Sequence, residues 1–219
     1  MIVDMGVGGW PTSADQAIID SVGRYYTEKL RLFGATPRGV DWSSAESQAL
    51  RFDKPLAVVE DDREASLNDF GCGYGALVEH LTTAGRRFVY CGFDISELMI
   101  TRARARFGGI SWCTFISDAT CLCTADYTVA SGIFNVKLDY KKSIWQEYVV
   151  NTLDTLDRLS ARGFAFNMLS TYSDADKQRD ELYYADPRET FDLCKRRFSP
   201  RVSLLHDYPL YEFTMLVTK

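Results

Sequence analysis

The sequence predicts an α/β fold: a mostly parallel, twisted, seven-stranded sheet with helices on both faces, closed by an antiparallel hairpin and preceded by an N-terminal helical cap. Three observations carry this expectation. From Ala65 onward, short apolar strands alternate with segments of helical periodicity in the βαβ manner. The last two strands are separated by a few residues, too few for a parallel crossover, so they pair antiparallel. The first sixty residues carry helical patterns and no strand. The chain of 219 residues therefore divides into a helical cap or lid over 1–60 and a sheet core over 61–219.

The elements follow in order. Met1 to Pro11 is irregular, with Gly6, Gly8 and Gly9. From Asp15 to Phe33, Ile18, Ile19, Val22, Tyr26, Leu30 and Phe33 recur at spacings of three and four, and Gly34 stops the helix. After the loop Ala35 to Trp42, a second helix spans Ser44 to about Lys54 and breaks at Pro55. Strands are expected at Ser66–Phe70, Phe88–Phe93, Ser111–Ile116, Tyr127–Ile133 and Phe164–Leu169. Helices lie between the early strands: Tyr74 to Ala84, then one capped by Ser96 and ended by Gly108. Ser143-Ile144-Trp145-Gln146 reads as a capping box for a helix to about Leu159, and Asp186-Pro187-Arg188-Glu189 opens another. Val202–Leu205 and Tyr211–Val217 form the closing hairpin.

Composition narrows the function. With 46% apolar and 25% charged residues, the chain is neither disordered, collagen-like nor a coiled coil. No apolar stretch is long enough to span a bilayer, and the N-terminus lacks a secretory pattern. Six irregularly spaced cysteines then read as reduced thiols in a cytoplasm. A net charge of −5 argues against phosphate-backbone binding as the main business. The expected partner is a small molecule, bound by a monomer or homodimer with no membrane attachment.

Ligands of such sheets bind beyond the carboxyl ends of the strands. Asp69-Phe70-Gly71-Cys72-Gly73-Tyr74-Gly75 sits where the first strand turns into its helix, and glycines there let the backbone approach a ligand closely. Gly71, Gly73 and Ala76 also satisfy a loose dinucleotide fingerprint. Asp69, however, stands where it can face an ammonium group and would repel a pyrophosphate. Asp94 ends the second strand, where a carboxylate accepts two ribose hydroxyls, and Asp118 follows the third, where it can accept from an adenine amino group. A glycine loop can be a mere tight turn, and an acid at a strand end a helix cap. Three in register instead describe S-adenosylmethionine.

The run Leu67-Asn68-Asp69-Phe70-Gly71-Cys72-Gly73-Tyr74-Gly75-Ala76-Leu77 resembles motif I of class I S-adenosylmethionine-dependent methyltransferases. Phe93-Asp94-Ile95-Ser96 resembles their ribose-binding loop, Ser117-Asp118-Ala119 their adenine-binding turn, and the closing hairpin their reversed seventh strand. Asn68 departs from the pattern, standing where an apolar residue is usual. The resemblance, from about Ala65 to the C-terminus, implies a Rossmann-like sheet, S-adenosylmethionine as cofactor and S-adenosylhomocysteine as product. It implies cofactor contacts from Asp69, Gly71, Cys72, Gly73, Asp94, Ile95, Met99, Asp118, Ala119 and Ser131. Because the N-terminal segment of related enzymes folds over the cofactor, it also implies that Arg38 meets the methionine carboxylate and Trp42 covers the site.

Methyl transfer from a sulfonium is an in-line displacement whose chemistry the cofactor carries, so neither a universal catalytic residue nor a metal is required. Cys121-Leu122-Cys123 has the wrong spacing for a zinc knuckle. Ser131-Gly132-Ile133-Phe134-Asn135-Val136-Lys137 lacks the double-proline aromatic motif of amino-methylating nucleic-acid enzymes, and the glutamate pair of protein arginine methyltransferases has no counterpart. Both absences favour a small acceptor. Asn135 and Lys137, near the expected methyl group, are candidates to orient it; the plainer alternative has Asn135 satisfying loop backbone and Lys137 solvated. His206, at the hairpin turn, is a candidate base, with a strand-end structural hydrogen bond as its alternative. Tyr26, Tyr172 and Tyr184 are candidate substrate contacts among twelve tyrosines. The expected activity is methylation of an oxygen or nitrogen on a small polar, sugar-like or specialised metabolite. The alternatives are an RNA or protein methyltransferase and a non-catalytic S-adenosylmethionine-binding module.

Overall fold

The computed structural model describes residues 11–60 and 64–219. The glycine-bearing start of the chain and the join expected near residue 61 lie outside them. Helix α1 is Ser13–Phe33 and α2 is Ala45–Leu56. The sheet region follows as β1 Ser66–Phe70, α3 Ala76–Thr83, β2 Val89–Phe93, α4 Glu97–Phe107, β3 Cys113–Ile116 and β4 Ala125–Ala130. It ends with α5 Lys142–Arg158, β5 Ser160–Ser170, β6 Tyr184–Ala185, α6 Pro187–Arg197, β7 Arg201–Leu205 and β8 Glu212–Thr218.

The strand order is β3-β2-β1-β4-β5-β8-β7. Strands β1 to β5 pair in parallel, whereas β8 runs antiparallel to both β5 and β7. Strand β7 therefore points the same way as β5, and the β7–β8 turn lies at the carboxyl end of the sheet. Two-residue β6 pairs with the end of β5 and adds an eighth strand to the seven predicted. The alternation along β5 shows the two faces: Phe164, Phe166 and Met168 pack with α1, α5 and α6, while Ala165 belongs to the cluster holding α2, α3 and α4. Helix α1 packs on the first face through Ile18, Ile19 and Val22 and reaches the second through Leu30, in the cluster that holds α2.

Several boundaries move for identifiable reasons. Thr12 caps α1 in a capping box closed by Asp15, so the helix starts at Ser13, two residues before the expected start at Asp15. Ser143 is not a cap: α5 leaves extended backbone at Lys141, one turn ahead of fully buried Trp145, whose indole donates to the Phe134 carbonyl at 3.0 Å. Pro55 sits within the last turn of α2, which runs on to Leu56. Strand β4 stops at Ala130, because Gly132 turns the chain with φ of 77°. Asn68 donates to the carbonyl of Cys123, in the loop that leads into the neighbouring strand β4, at 2.9 Å.

Candidate active site

The site grows from the end of β1. Gly71, Gly73 and Gly75 have φ of 85°, 55° and 84°, conformations that side-chain-bearing residues rarely adopt. Gly71 and Cys72 donate their N–H groups to the Phe93 carbonyl, tying this loop to the end of β2. A Cβ on Gly71 would fall 2.3 Å from Cγ2 of Ile133, in the loop after β4. That position thus needs glycine for both its dihedral and its space.

The three acids take different environments. Asp69 is buried, and its Oδ2 accepts from the Tyr90 hydroxyl at 2.7 Å. Burial pushes its carboxyl up to about 7, the Tyr90 hydrogen bond acts against this, and the charge of Asp94 adds to it. Half-buried Asp94 accepts from the Gly73 N–H at 2.9 Å and the Ser96 N–H at 2.8 Å. Its carboxyl rises to about 6, again through burial, with those two donors pulling it down. Asp118 is exposed and caps a short turn, accepting from both the hydroxyl and the N–H of Thr120, which hold its carboxyl below the usual range.

Two depressions adjoin here. A cavity above the strand ends is lined by Asp69, the glycine loop, Asp94, Ile95 and Met99 on one side, and by Ser131, Gly132 and Ile133 beyond. Tyr26 from α1 and Trp42 from the following loop cover it. A groove lies on the other side of Ile95, between α1 and the residues Ser96–Leu98 and Ser117–Thr120. Phe93 and Ile95 border both. Thr27 of α1 meets Ser96 hydroxyl to hydroxyl at 2.7 Å, so α1 is fastened to the start of α4 along the groove.

Of the residues predicted from sequence, Asp69, Gly71, Cys72, Gly73, Asp94, Ile95, Met99, Ser131, Trp42 and Tyr26 come together on the cavity. Asp118 and Ala119 line the adjoining groove, with Asp118 outside the cavity that holds the other two acids. The remaining candidates lie elsewhere. Arg38 is exposed, its guanidinium 4.6 Å over the ring of Phe33, because the short helical turn Pro37–Val40 directs Val40 and not Arg38 to the cavity. Buried Asn135 accepts the Leu169 N–H on its side-chain oxygen at 3.2 Å, while its carbonyl accepts from Tyr183, which is the loop-satisfying role. Lys137 donates to the Leu138 carbonyl, and the Tyr184 hydroxyl accepts from the Arg179 N–H. His206 and Tyr172 are exposed, with ring centres 5.8 Å apart on the carboxyl-end rim and off the cavity lining.

Other contributors were not anticipated. Buried Gln48 lines the cavity and donates to the Tyr74 hydroxyl at 3.0 Å. Val22 and Tyr148 line it as well. The loop after β4 is fixed from two sides: Asn167 accepts the Gly132 N–H at 2.7 Å and donates to the Ser131 hydroxyl. Ser131 in turn donates to the Arg51 carbonyl at 3.2 Å. That carbonyl is available because Pro55, four residues on, has no N–H to offer it. Arg51 also pairs with Glu212, through Nε at 2.8 Å and Nη2 at 2.7 Å to the same oxygen. Glu212 is 1% exposed and its other oxygen has no hydrogen-bond partner. The signal for this network was a proline one helical turn after an arginine, which is too common to be informative alone.

A model of the methyltransferase domain family matches residues 68–158. The Mycobacterium tuberculosis protein Rv1506c, named as a methyltransferase, is 54% identical over 154 residues, covering 70% of this chain and 93% of that protein. The solved structure of magnesium protoporphyrin IX methyltransferase from Synechocystis PCC 6803, with bound S-adenosylmethionine, has a TM-score of 0.60 at 16% identity, covering 94% of this chain and 97% of that one. Human N-acetylserotonin methyltransferase in complex with the same cofactor has a TM-score of 0.58 at 13% identity, covering 94% and 59%. At such identities the likeness is one of fold.

The chain belongs to the class I S-adenosylmethionine-dependent methyltransferases. Its residues fit that cofactor: a loop closed to any Cβ at Gly71 adjoins two carboxylates that burial raises and that no cation among the described residues lowers.

Proposed function

We propose that this methyltransferase acts on an oxygen or nitrogen of a small polar molecule, sugar-like or a specialised metabolite, in a cytoplasmic biosynthetic pathway. The observation that carries the reading is a cavity shared by Asp69, the glycine loop and Asp94 and roofed by Tyr26 and Trp42. Asp69 receives the ammonium of the cofactor, Asp94 its ribose hydroxyls, and Asp118 with Ala119 the adenine in the adjoining groove. A ligand spanning both depressions displaces Ile95 and the contact between Thr27 and Ser96. The cofactor, when bound, supplies the electrophilic methyl group.

The protein's share is alignment and the exclusion of water. Asn135, Lys137 and His206 stand off the cavity, so the proposal assigns none of them to the reacting atoms. A small acceptor is supported by the wall facing the glycine loop, where Tyr26, Trp42 and Tyr148 offer apolar rings with polar tips. Two enzymes of similar fold are named for small acceptors, a magnesium porphyrin and N-acetylserotonin. The six cysteines are free thiols, which supports a reducing compartment. Among the described residues no helix is long and apolar enough to cross a membrane.

Incubating a metabolite extract with isotopically labelled S-adenosylmethionine and the protein, followed by mass spectrometry, tests the proposal. Label is expected in a small polar product, and label confined to RNA or protein overturns it. Asp94→Ala is expected to weaken cofactor binding roughly tenfold to a hundredfold in calorimetry. Unchanged affinity removes the ribose assignment.

A further inference from the structure

Tyr90, the second residue of β2 and 2% exposed, does not line the cavity. The register pairs Leu67 with Tyr90 and Asp69 with Gly92, so Tyr90 and Asp69 share a sheet face and sit diagonally. Gly92 opens the path between them. A Cβ there would fall 3.0 Å from the Tyr90 hydroxyl oxygen and 2.9 Å from both Cys72 Sγ and the Phe115 ring. Through that gap the hydroxyl reaches Oδ2 of Asp69. The other carboxylate oxygen has no hydrogen bond among the described residues.

The surroundings of Asp69 are otherwise unkind to charge. The titratable groups that act on it or feel it are Tyr90 and Cys91 on β2, Cys72 in the glycine loop, and Asp94 beyond β2; Cys113 on β3 acts on Tyr90. None is a cation. A buried carboxylate with one neutral donor and an acidic neighbour resists ionisation, and the donor is what favours the charged form. An ammonium brought by a ligand would supply the missing opposite charge.

We infer that Tyr90 is a positioning residue for the amino-acid end of the cofactor: its hydroxyl fixes one oxygen of Asp69 and favours the anion that receives the ammonium group. This rests on the proposed pairing of Asp69 with that ammonium. Tyr90 touches neither cofactor nor acceptor, so its effect appears in cofactor affinity and its pH dependence, with kcat at saturating cofactor unchanged.

The test is calorimetric titration of S-adenosylhomocysteine, which keeps the ammonium, into wild type, Tyr90→Phe and Asp69→Asn across neutral pH. Wild-type affinity is expected to rise with pH up to neutrality and to fall in alkali, where the ligand's ammonium loses its own proton. In Tyr90→Phe the rise shifts to higher pH by about one unit, so affinity falls about tenfold near pH 6 and only about twofold near pH 8. A Tyr90→Phe profile that overlays wild type, or lies below it by the same factor at every pH, overturns the inference. If Asp69→Asn binds with wild-type affinity and profile, the ammonium assignment itself fails. If Asp69→Asn is weak and flat while Tyr90→Phe is normal, the Tyr90 role alone fails. Proton NMR of the wild-type protein covers the case in which Tyr90→Phe does not fold. The Tyr90 hydroxyl proton is expected to move downfield as S-adenosylhomocysteine binds, and its failure to move overturns the inference.

Discussion

The two sides of the cavity are built differently. On the cofactor side, the loop between β1 and α3 and the end of β2 are shaped by backbone: three glycines with positive φ, two N–H groups shared on one carbonyl, and Asp94 holding the Gly73 and Ser96 amides. Each piece works within a few residues of its neighbours in sequence or register. On the opposite side, Trp42, Arg51, Ser131, Asn167 and Glu212 come from five separate segments and depend on one another. A site made of backbone states its purpose locally. A site made of long-range side-chain partnerships has no meaning until the chain has folded.

The sharpest way to break that contrast is at Arg51. Its guanidinium is the salt-bridge partner of Glu212, whose second oxygen is already without a hydrogen bond. Arg51→Met leaves a buried carboxylate uncompensated and is expected to cost about 3–5 kcal/mol in urea unfolding. Adding Glu212→Leu should restore most of that loss, since removing both charges removes the mismatch. If the single variant loses less than about 1 kcal/mol, the opposite wall does not depend on this pair. Gly71→Ala should act on the cofactor side and mainly on binding. The φ of 85° makes any side chain costly by about 1–2 kcal/mol, and Ile133 blocks the space. Adding Ile133→Ala should relieve the collision but not the dihedral, so affinity for S-adenosylhomocysteine should recover only in part. Full recovery would show that the loop tolerates a side chain.

The same contrast explains what could be read before folding. A glycine run and an acid at a strand end carry their geometry with them, and ten predicted residues, Asp69 and Asp94 among them, do line one cavity, whereas Asp118 lines the adjoining groove. The antiparallel pairing of the last two strands followed from loop length. Arg38 was misplaced because a guanidinium in a loop has no periodicity to orient it, and Phe33 offered a ring nearby. Asn135 left two readings open from sequence, a substrate contact or a tie within its loop, and the second holds because a buried loop must satisfy its own backbone: the Leu169 N–H donates to it. Tyr90 was readable in principle: a tyrosine in a buried strand needs a partner for its hydroxyl, and the β1–β2 register puts Asp69 within reach.

Acidity offers a subtler probe, because it acts on the cofactor side alone. Asp69 and Asp94 have carboxyls raised to about 7 and about 6, against an ordinary value of 3.8. Between roughly pH 4 and pH 7 the folded protein therefore binds more protons than the unfolded chain, and stability falls as pH rises through that window. The protein without cofactor should melt higher near pH 5.5 than near pH 8, while the stabilisation by added S-adenosylhomocysteine should shrink on the acid side. Carboxyls held low, such as Asp126 and Asp186, lose their contribution only below that window. A melting temperature that falls steadily on acidification from pH 8 would refute burial as the dominant influence on the pair.

The smallest effect separates two neighbours on one loop. Arg38 and Trp42 are four residues apart, yet the indole lines the cavity, against Gly132, and the guanidinium rests on Phe33 in solvent. An exposed cation–π contact is worth about 0.5–1 kcal/mol, so Arg38→Ala should lower stability by no more than that. Cofactor affinity should stay within about twofold of wild type, a change too small for a lost charge-assisted hydrogen bond. Trp42→Ala should weaken cofactor binding more, because it opens the roof above Gly132. If Arg38→Ala instead loses about tenfold in affinity while Trp42→Ala does not, the loop rearranges on binding.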